Sequence, residues 1–397
     1  MTPISDRVAN LSPSATLAMS QKSAELKAQG IDVINLAVGE PDFPTPAHIK
    51  EAAKKAIDDN FTFYTPVPGY MSLRKAIVDN LAATNGVVYA PEQIVVGNGA
   101  KQALCNVILS VINPGDEVII PTPAWVSYVE MVKLAEGVTV EVPAGIEQDF
   151  KITPSQLRAA ITPKTKMVLI CSPSNPTGSV YTPAELEEIV KVLADYPEII
   201  VLADEIYQHI NFTGQYRSLG SFKEIEDRTV VINGVSKAYA MTGWRIGFCA
   251  APLPIAKAVT KLQSQYSSNA SSIAQKAAEA AYSGSQECVE EMRVAFERRR
   301  DLVVELASQI PGLKVNKPQG AFYLFPEVSA YLGKKAGEKV IATSGDLAMY
   351  LLEEAHVATV DGSAFCLPGY IRLSYATSDD NIREAMRRIA DALAKLK

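Results

Sequence analysis

The sequence predicts an α/β fold: a mostly parallel seven-stranded sheet flanked by helices, with a smaller α+β region beside it. Three observations carry this expectation. From about residue 90 to residue 250, short β-branched runs alternate with helical patterns, as repeated β-α units do. Most of those runs are apolar throughout rather than alternating, which suits strands covered on both faces. Past about residue 280 the alternation gives way to a long helical pattern, an isolated strand and a terminal amphipathic segment.

The expected strands are 94–96, 117–121, 138–142, 167–171, 199–203, 229–233 and 246–250, with helices at 101–112 and 183–195 among those between them. A long helix is expected over 286–310, its charged run Glu297-Arg298-Arg299-Arg300-Asp301 forming a solvated face. Residues 371–375 read as a strand. Ser378-Asp379-Asp380 then caps a last helix with Ile382, Met386, Ile389, Leu393 and Leu396 on one stripe. Residues 1–45 are too short and loop-rich to fold alone and are expected to pack with the C-terminal region. Pro41, Pro44 and Pro46 stiffen the connection, and Thr45 and Pro46 cap and start the next helix. The division expected is 46–283 as a large domain, and 1–45 with 284–397 as a small one.

Composition narrows the function. A formal net charge of -6 argues against nucleic acid or an anionic membrane as the main partner. No apolar stretch reaches membrane-spanning length, and the opening residues carry no signal-peptide core. Five cysteines lie far apart with no C-x-x-C pair, so buried free thiols, a reducing compartment and a cytoplasmic location are expected. His48, His209 and His356 are scattered, so no metal is expected and the proton shuttle is not histidine.

The chemistry concentrates at strand ends. Lys237 lies in Ser236-Lys237-Ala238-Tyr239, eight residues before Arg245. A desolvated lysine amine forms Schiff bases with aldehydes, and an arginine takes a phosphate in bidentate fashion. Gly97-Asn98-Gly99-Ala100-Lys101 joins a strand to a helix start, where backbone N–H groups suit a phosphate or simply cap the helix. Asp204, at the end of an apolar run, can hold a pyridine nitrogen protonated or cap the following helix. Asn175, in Ser174-Asn175-Pro176-Thr177-Gly178, suits a phenolic oxygen or a turn. Trp125 and Tyr128 follow the second strand, where an indole can stack on a planar ring or simply pack. Arg372 is alone in an apolar strand and needs an anion, either a substrate carboxylate or a structural aspartate.

Together with Gly39-Glu40-Pro41-Asp42-Phe43, Asp204-Glu205-Ile206-Tyr207 and Arg372-Leu373-Ser374, these motifs make the chain resemble the class I/II aminotransferases of the fold-type I pyridoxal-phosphate enzymes. The likeness runs from Pro13-Ser14-Ala15-Thr16 to the final helix, and is greatest to the bacterial subgroup Ib aspartate aminotransferases. The resemblance implies pyridoxal 5'-phosphate held by Lys237 as a Schiff base, with Lys237 also shuttling a proton. It implies Asp204 on the pyridinium nitrogen, Asn175 and Tyr207 on the phenolic oxygen, and Trp125 on the ring face. Ala100, Lys101, Ser236 and Arg245 would hold the phosphate, and Tyr64 would reach the phosphate of the other subunit of a homodimer. Arg372, Gly39, Trp125 and Asn175 would bind the substrate, with Lys101, Ser14 and Thr16 on its side-chain carboxylate. The implied partners are amino acids and 2-oxo acids, with transfer from L-aspartate to 2-oxoglutarate in front and prephenate as the competing acceptor. An alternative of another class is a non-catalytic ligand-binding module of the kind fused to DNA-binding segments, but no basic helix-turn-helix region is evident.

Overall fold

The computed structural model describes residues 4–397; Met1, Thr2 and Pro3, at the head of the stretch examined for a signal peptide, lie outside the described residues. Seven strands form the main sheet: β1 (Ile94–Gly97), β2 (Glu117–Thr122), β3 (Val138–Pro143), β4 (Thr165–Cys171), β5 (Ile200–Asp204), β6 (Thr229–Gly234) and β7 (Gly247–Ala250). Their order across the sheet is β1-β7-β6-β5-β4-β2-β3. All pairings are parallel except those of β7, which runs against both of its neighbours.

The alternation of side chains explains why the runs read as continuously apolar. Ile119, Val168, Ile170, Val201, Ala203 and Val231 enter the core on one face of the sheet. Val118, Ile120, Met167, Leu169, Leu202 and Val230, their sequence neighbours, enter the core on the other. Each fully buried Val, Leu or Ile contributes about 1.5–3 kcal/mol relative to exposure, so neither face tolerates polar substitution. Only β3, paired on one side, keeps exposed positions such as Val138.

This topology places the site. β1, β2, β4, β5 and β6 run the same way, so their C-terminal ends share one edge, where ligands of parallel sheets bind. β7 runs back, which brings Arg245, two residues before its start, to that same edge.

Toward the C-terminus the chain gathers a second cluster of helices and strands. Helix Glu287–Ser308, helix Ser344–Glu354 and helix Asp379–Leu393 pack around a three-stranded antiparallel sheet of Tyr323–Leu324, Val360–Asp361 and Ile371–Ser374. Ser378 caps the last helix by accepting from the Asn381 N–H, and the Ile382, Met386, Ile389 and Leu393 stripe is buried. The N-terminal stretch is less loop-like than its sequence suggests, since Ala15–Ala28 is a helix. Its next segment, Ile34–Asn35, pairs in parallel with Val357–Ala358.

Three local expectations are corrected. Arg299 and Arg300 do not lie on a solvated face: both are buried, Arg299 gripping Asp42 with two hydrogen bonds of 2.7 and 3.0 Å and Arg300 donating to the Pro318 carbonyl. Thr45 does not cap helix Ala47–Asp58; its hydroxyl donates to the Ala240 carbonyl, and Pro46 occupies the cap position. The cysteines are free, but only Cys249 is buried.

Candidate active site

At the shared strand edge lies a cleft of about 540 Å³, a size that holds a cofactor-sized ligand. Ser14, Thr16, Gly39, Ala100, Lys101 and Trp125 line it, as do Asn175, Asp204, Tyr207, Ser236, Lys237, Arg245 and Arg372. Of the residues expected in the site only Tyr64 is elsewhere: it stands 92 % exposed and does not reach the cleft of its own chain.

Lys237 is partly buried, and its amine donates to the Gly39 carbonyl at 2.6 Å. Burial pulls its pKa down to about 8; Arg372 and Arg245 push the same way, while Glu40 and Asp204 oppose them. An amine lowered to about 8 gives up its proton far more readily than an ordinary lysine, which suits a nucleophile or a proton carrier.

Asp204 is the last residue of β5 and is 3 % exposed. Tyr128 donates to one carboxylate oxygen at 2.6 Å and the Ile206 N–H to the other at 3.2 Å. Burial nevertheless pushes the carboxyl up to about 6. A cationic N–H meeting this carboxylate would restore its charged form. The Asp204 part in the site was legible in the sequence; the Tyr128 hydroxyl beneath it was missed, because nothing in the sequence distinguishes a tyrosine aimed at the sheet from one packed beside Trp125.

Arg372 lies in the strand Ile371–Ser374 at 1 % exposure. Its guanidinium donates to Asn175 Oδ1 at 2.9 Å and to the Ala37 carbonyl at 2.6 Å, between the rings of Tyr323 and Phe365. Nε has no partner, and burial lowers the pKa. Among the described residues no carboxylate lies within ion-pair distance of it, which disposes of the structural-aspartate alternative. A buried guanidinium with a free N–H and no counter-ion can receive a carboxylate from outside the chain.

The phosphate end is built from backbone. Gly99, with φ of 85°, precedes helix Ala100–Val111, whose first N–H groups have no carbonyl behind them. A Cβ on Gly247 would meet the Ala100 nitrogen at 2.2 Å, so that glycine is required for the close approach, while Gly99 is favoured by its positive φ and leaves room for Arg245 Nη2. Arg245 itself donates only to the carbonyls of Thr242 and Asn98. Ser236 faces the same cleft. An aromatic aldehyde bearing a phosphate fits this donor set: an amine for the aldehyde, a helix start with a hydroxyl and an arginine for the phosphate, and a buried acid for a ring nitrogen.

Two further placements refine the reading. The Tyr207 hydroxyl is hydrogen-bonded to that of Tyr323 at 2.8 Å, and Tyr323 also fills the space against Gly39. Tyr323 was missed because it lies in the run Ala321-Phe322-Tyr323-Leu324-Phe325, which reads as core. The Lys101 amine sits 4.8 Å from the Trp125 ring centre, and the buried Thr16 hydroxyl has no partner. The lining holds four cations, Lys101, Lys237, Arg245 and Arg372, against two carboxylates, Glu40 and Asp204, a balance that favours anionic ligands.

Comparison with known proteins identifies the family. The family model for aminotransferase class I and II matches residues 31–389. An aspartate/prephenate aminotransferase of Nitrosomonas europaea is 47% identical over 395 residues, covering 98% of this chain and 100% of the relative. An aspartate aminotransferase of Geobacillus stearothermophilus is 50% identical over 392 residues, covering 97% of this chain and 98% of the relative. The crystal structure of the Rhizobium meliloti aspartate aminotransferase superposes with a TM-score of 0.96 at 42% identity, with full coverage of both chains (100% each). That of Thermus thermophilus with maleate gives 0.93 at 41% identity, covering 99% of this chain and 100% of the other. From its strand-edge lysine, buried aspartate and unpaired arginine to these full-length matches, the chain belongs to the class I and II aminotransferases.

Proposed function

We propose that the enzyme uses pyridoxal 5'-phosphate to transfer the amino group of L-aspartate to 2-oxoglutarate, releasing oxaloacetate and L-glutamate. The observation that carries this reading is the unpaired, buried Arg372 guanidinium sharing one cleft with the Lys237 amine. When bound, the cofactor supplies an electron sink for the electrons left on Cα after proton removal.

The chain's residues supply the rest. Arg372 takes the substrate α-carboxylate, helped by the Gly39 backbone and Asn175, and so orients the Cα–H bond toward Lys237. Lys237, neutral above about pH 8, accepts that proton on Nζ and can give it up again. Asp204 pairs with the ring nitrogen, kept in place by Tyr128. Trp125 would pack on the ring, and Asn175 and Tyr207 would take its phenolic oxygen. The N–H groups of Ala100 and Lys101, with Ser236 and Arg245, hold the phosphate. The Lys101 amine, Ser14 and Thr16 receive the substrate's second carboxylate, and the unpartnered Thr16 hydroxyl supports that role.

The exposure of Tyr64 supports a homodimer in which it contacts the phosphate of the other subunit. The body formed by 1–45 and 284–397 would move against 46–283 to shut the cleft and exclude water. No helix among the described residues is long and apolar enough to cross a membrane, and we place the enzyme in the cytoplasm. Prephenate as amino acceptor is a second reading, favoured by the names of relatives such as that of Nitrosomonas europaea.

The test is spectroscopic and kinetic. The purified protein should carry a visible absorption band that changes on adding aspartate, and should turn over aspartate with 2-oxoglutarate. Lys237→Ala should lose both the band and, by several orders of magnitude, the turnover. Negligible activity with aspartate alongside efficient use of a prephenate acceptor and another donor would transfer the assignment to the second reading. Normal turnover in Lys237→Ala would remove the mechanism.

A further inference from the structure

Glu40 runs against the character of the cleft. An anion-binding site gains nothing from a carboxylate at its wall, and Asp204, the other acid lining it, has a ring nitrogen to meet. Glu40 instead accepts from the Thr242 hydroxyl at 2.8 Å. Thr242 lies between Lys237 and Arg245, and its own carbonyl accepts from Arg245 Nη1 at 3.0 Å. The residue before Glu40 accepts from the Lys237 amine. Two residues on, Asp42 is locked to the buried Arg299 and Phe43 packs edge-on against Phe296, with ring centres 5.6 Å apart. The segment Gly39–Phe43 is thus anchored at one end to helix Glu287–Ser308 and applied at the other to the lysine-bearing loop.

We infer that Glu40 is a positioning residue for Lys237, tying down through Thr242 the loop that carries the lysine and facing the amine with a negative charge from the N-terminal segment. The inference rests on the reading of Lys237 as the proton-carrying group. The charged and titratable groups facing that amine are Glu40, Asp204, Arg245, Arg372 and the Tyr207 ring, 5.8 Å from it to the ring centre. Burial and the two arginines all favour the neutral amine, and of the two opposing acids Glu40 acts the more strongly. Without it the lysine would give up its proton readily but recover the substrate's Cα proton poorly. A shuttle needs both directions to be accessible at the working pH.

The experiment uses the protein freed of cofactor, so its readout is independent of turnover. Trace labelling with acetic anhydride across neutral to alkaline pH, read by mass spectrometry at the Lys237 peptide, reports the ionisation midpoint of that amine. Glu40→Gln keeps an acceptor for Thr242 but removes the charge. Its midpoint should fall by about half a pH unit or more at low ionic strength, with the shift shrinking in high salt. Glu40→Asp, which keeps the charge, should retain the wild-type midpoint more closely. Circular dichroism melting of each variant establishes that the fold is intact. A Glu40→Gln midpoint equal to that of the wild type overturns the inference, while leaving the assignment of Lys237 standing on its own spectroscopic test.

Discussion

The Tyr128 hydroxyl donates to the Asp204 carboxylate at 2.6 Å, beneath the cleft and out of reach of solvent. Burial is the largest influence on both groups: it drives the tyrosine well above its ordinary range and the aspartate up to about 6. The hydrogen bond is the first of the effects that hold Asp204 in its charged form, followed by the Ile206 N–H and the Lys237 charge. Asp204 can thus serve a cationic ring nitrogen only because its neighbours offset part of the desolvation.

Tyr128→Phe removes the hydroxyl while keeping the ring that packs edge-on against Trp125. A hydrogen bond to a charged group contributes about 1.5–3 kcal/mol, and here most of that loss should appear in cofactor retention. The variant should bind pyridoxal phosphate at least roughly tenfold more weakly, measured by equilibrium dialysis. Unchanged affinity would show that the hydroxyl does not govern the carboxylate.

Asp204 also predicts a pH signature for the cofactor-free protein. Its folded pKa, about 6, lies above the value of about 3.8–3.9 expected when unfolded. Between these values the folded state binds more protons than the unfolded one, so this group's contribution to stability declines as pH rises through that window. The accumulated cost above pH 6 is about 3 kcal/mol. Asp204→Asn should abolish this component, so the stability of the variant relative to wild type should rise from about pH 4 to about pH 6 and then level off. Urea unfolding at a series of pH values reads the difference; a constant offset between the two proteins would contradict the assigned shift.

Much of this arrangement was legible in the sequence, and the physical reasons are specific. Strands such as β4 and β5 announce themselves because both faces are buried, so Met167–Cys171 and Ile200–Ala203 admit no polar break. Asp204, Asn175 and Lys237 stand out because each follows such a run. Residues whose role depends on a partner far away in the chain were not legible. Arg299 belongs to a charged run, and only its contact with Asp42, 257 positions earlier, turns it into a buried clamp. Tyr323 and Tyr128 look like core aromatics until the fold directs their hydroxyls at Tyr207 and Asp204. Helix Ala15–Ala28 was hidden because it buries only Met19 and Ser23 and so lacks an apolar stripe.

Arg372 allows the structural and substrate roles of a buried charge to be separated by magnitude. Breaking a buried ion pair by removing one partner costs about 3–5 kcal/mol of stability. Among the described residues Arg372 has no carboxylate partner; it meets Asn175, the Ala37 carbonyl and two aromatic rings. Arg372→Met, of similar length and without the charge, should therefore cost the cofactor-free protein less than that range in urea unfolding, because the guanidinium's own desolvation is relieved. Capture of the substrate should suffer far more: kcat/KM for aspartate should fall by the equivalent of about 2–5 kcal/mol, while the absorption band from Lys237 persists. Arg372→Lys should recover only part of the loss, since a single ammonium cannot reproduce two-point recognition of a carboxylate. A variant that unfolds at much lower urea yet retains its KM for aspartate would make Arg372 a structural residue and leave the α-carboxylate without its assigned partner.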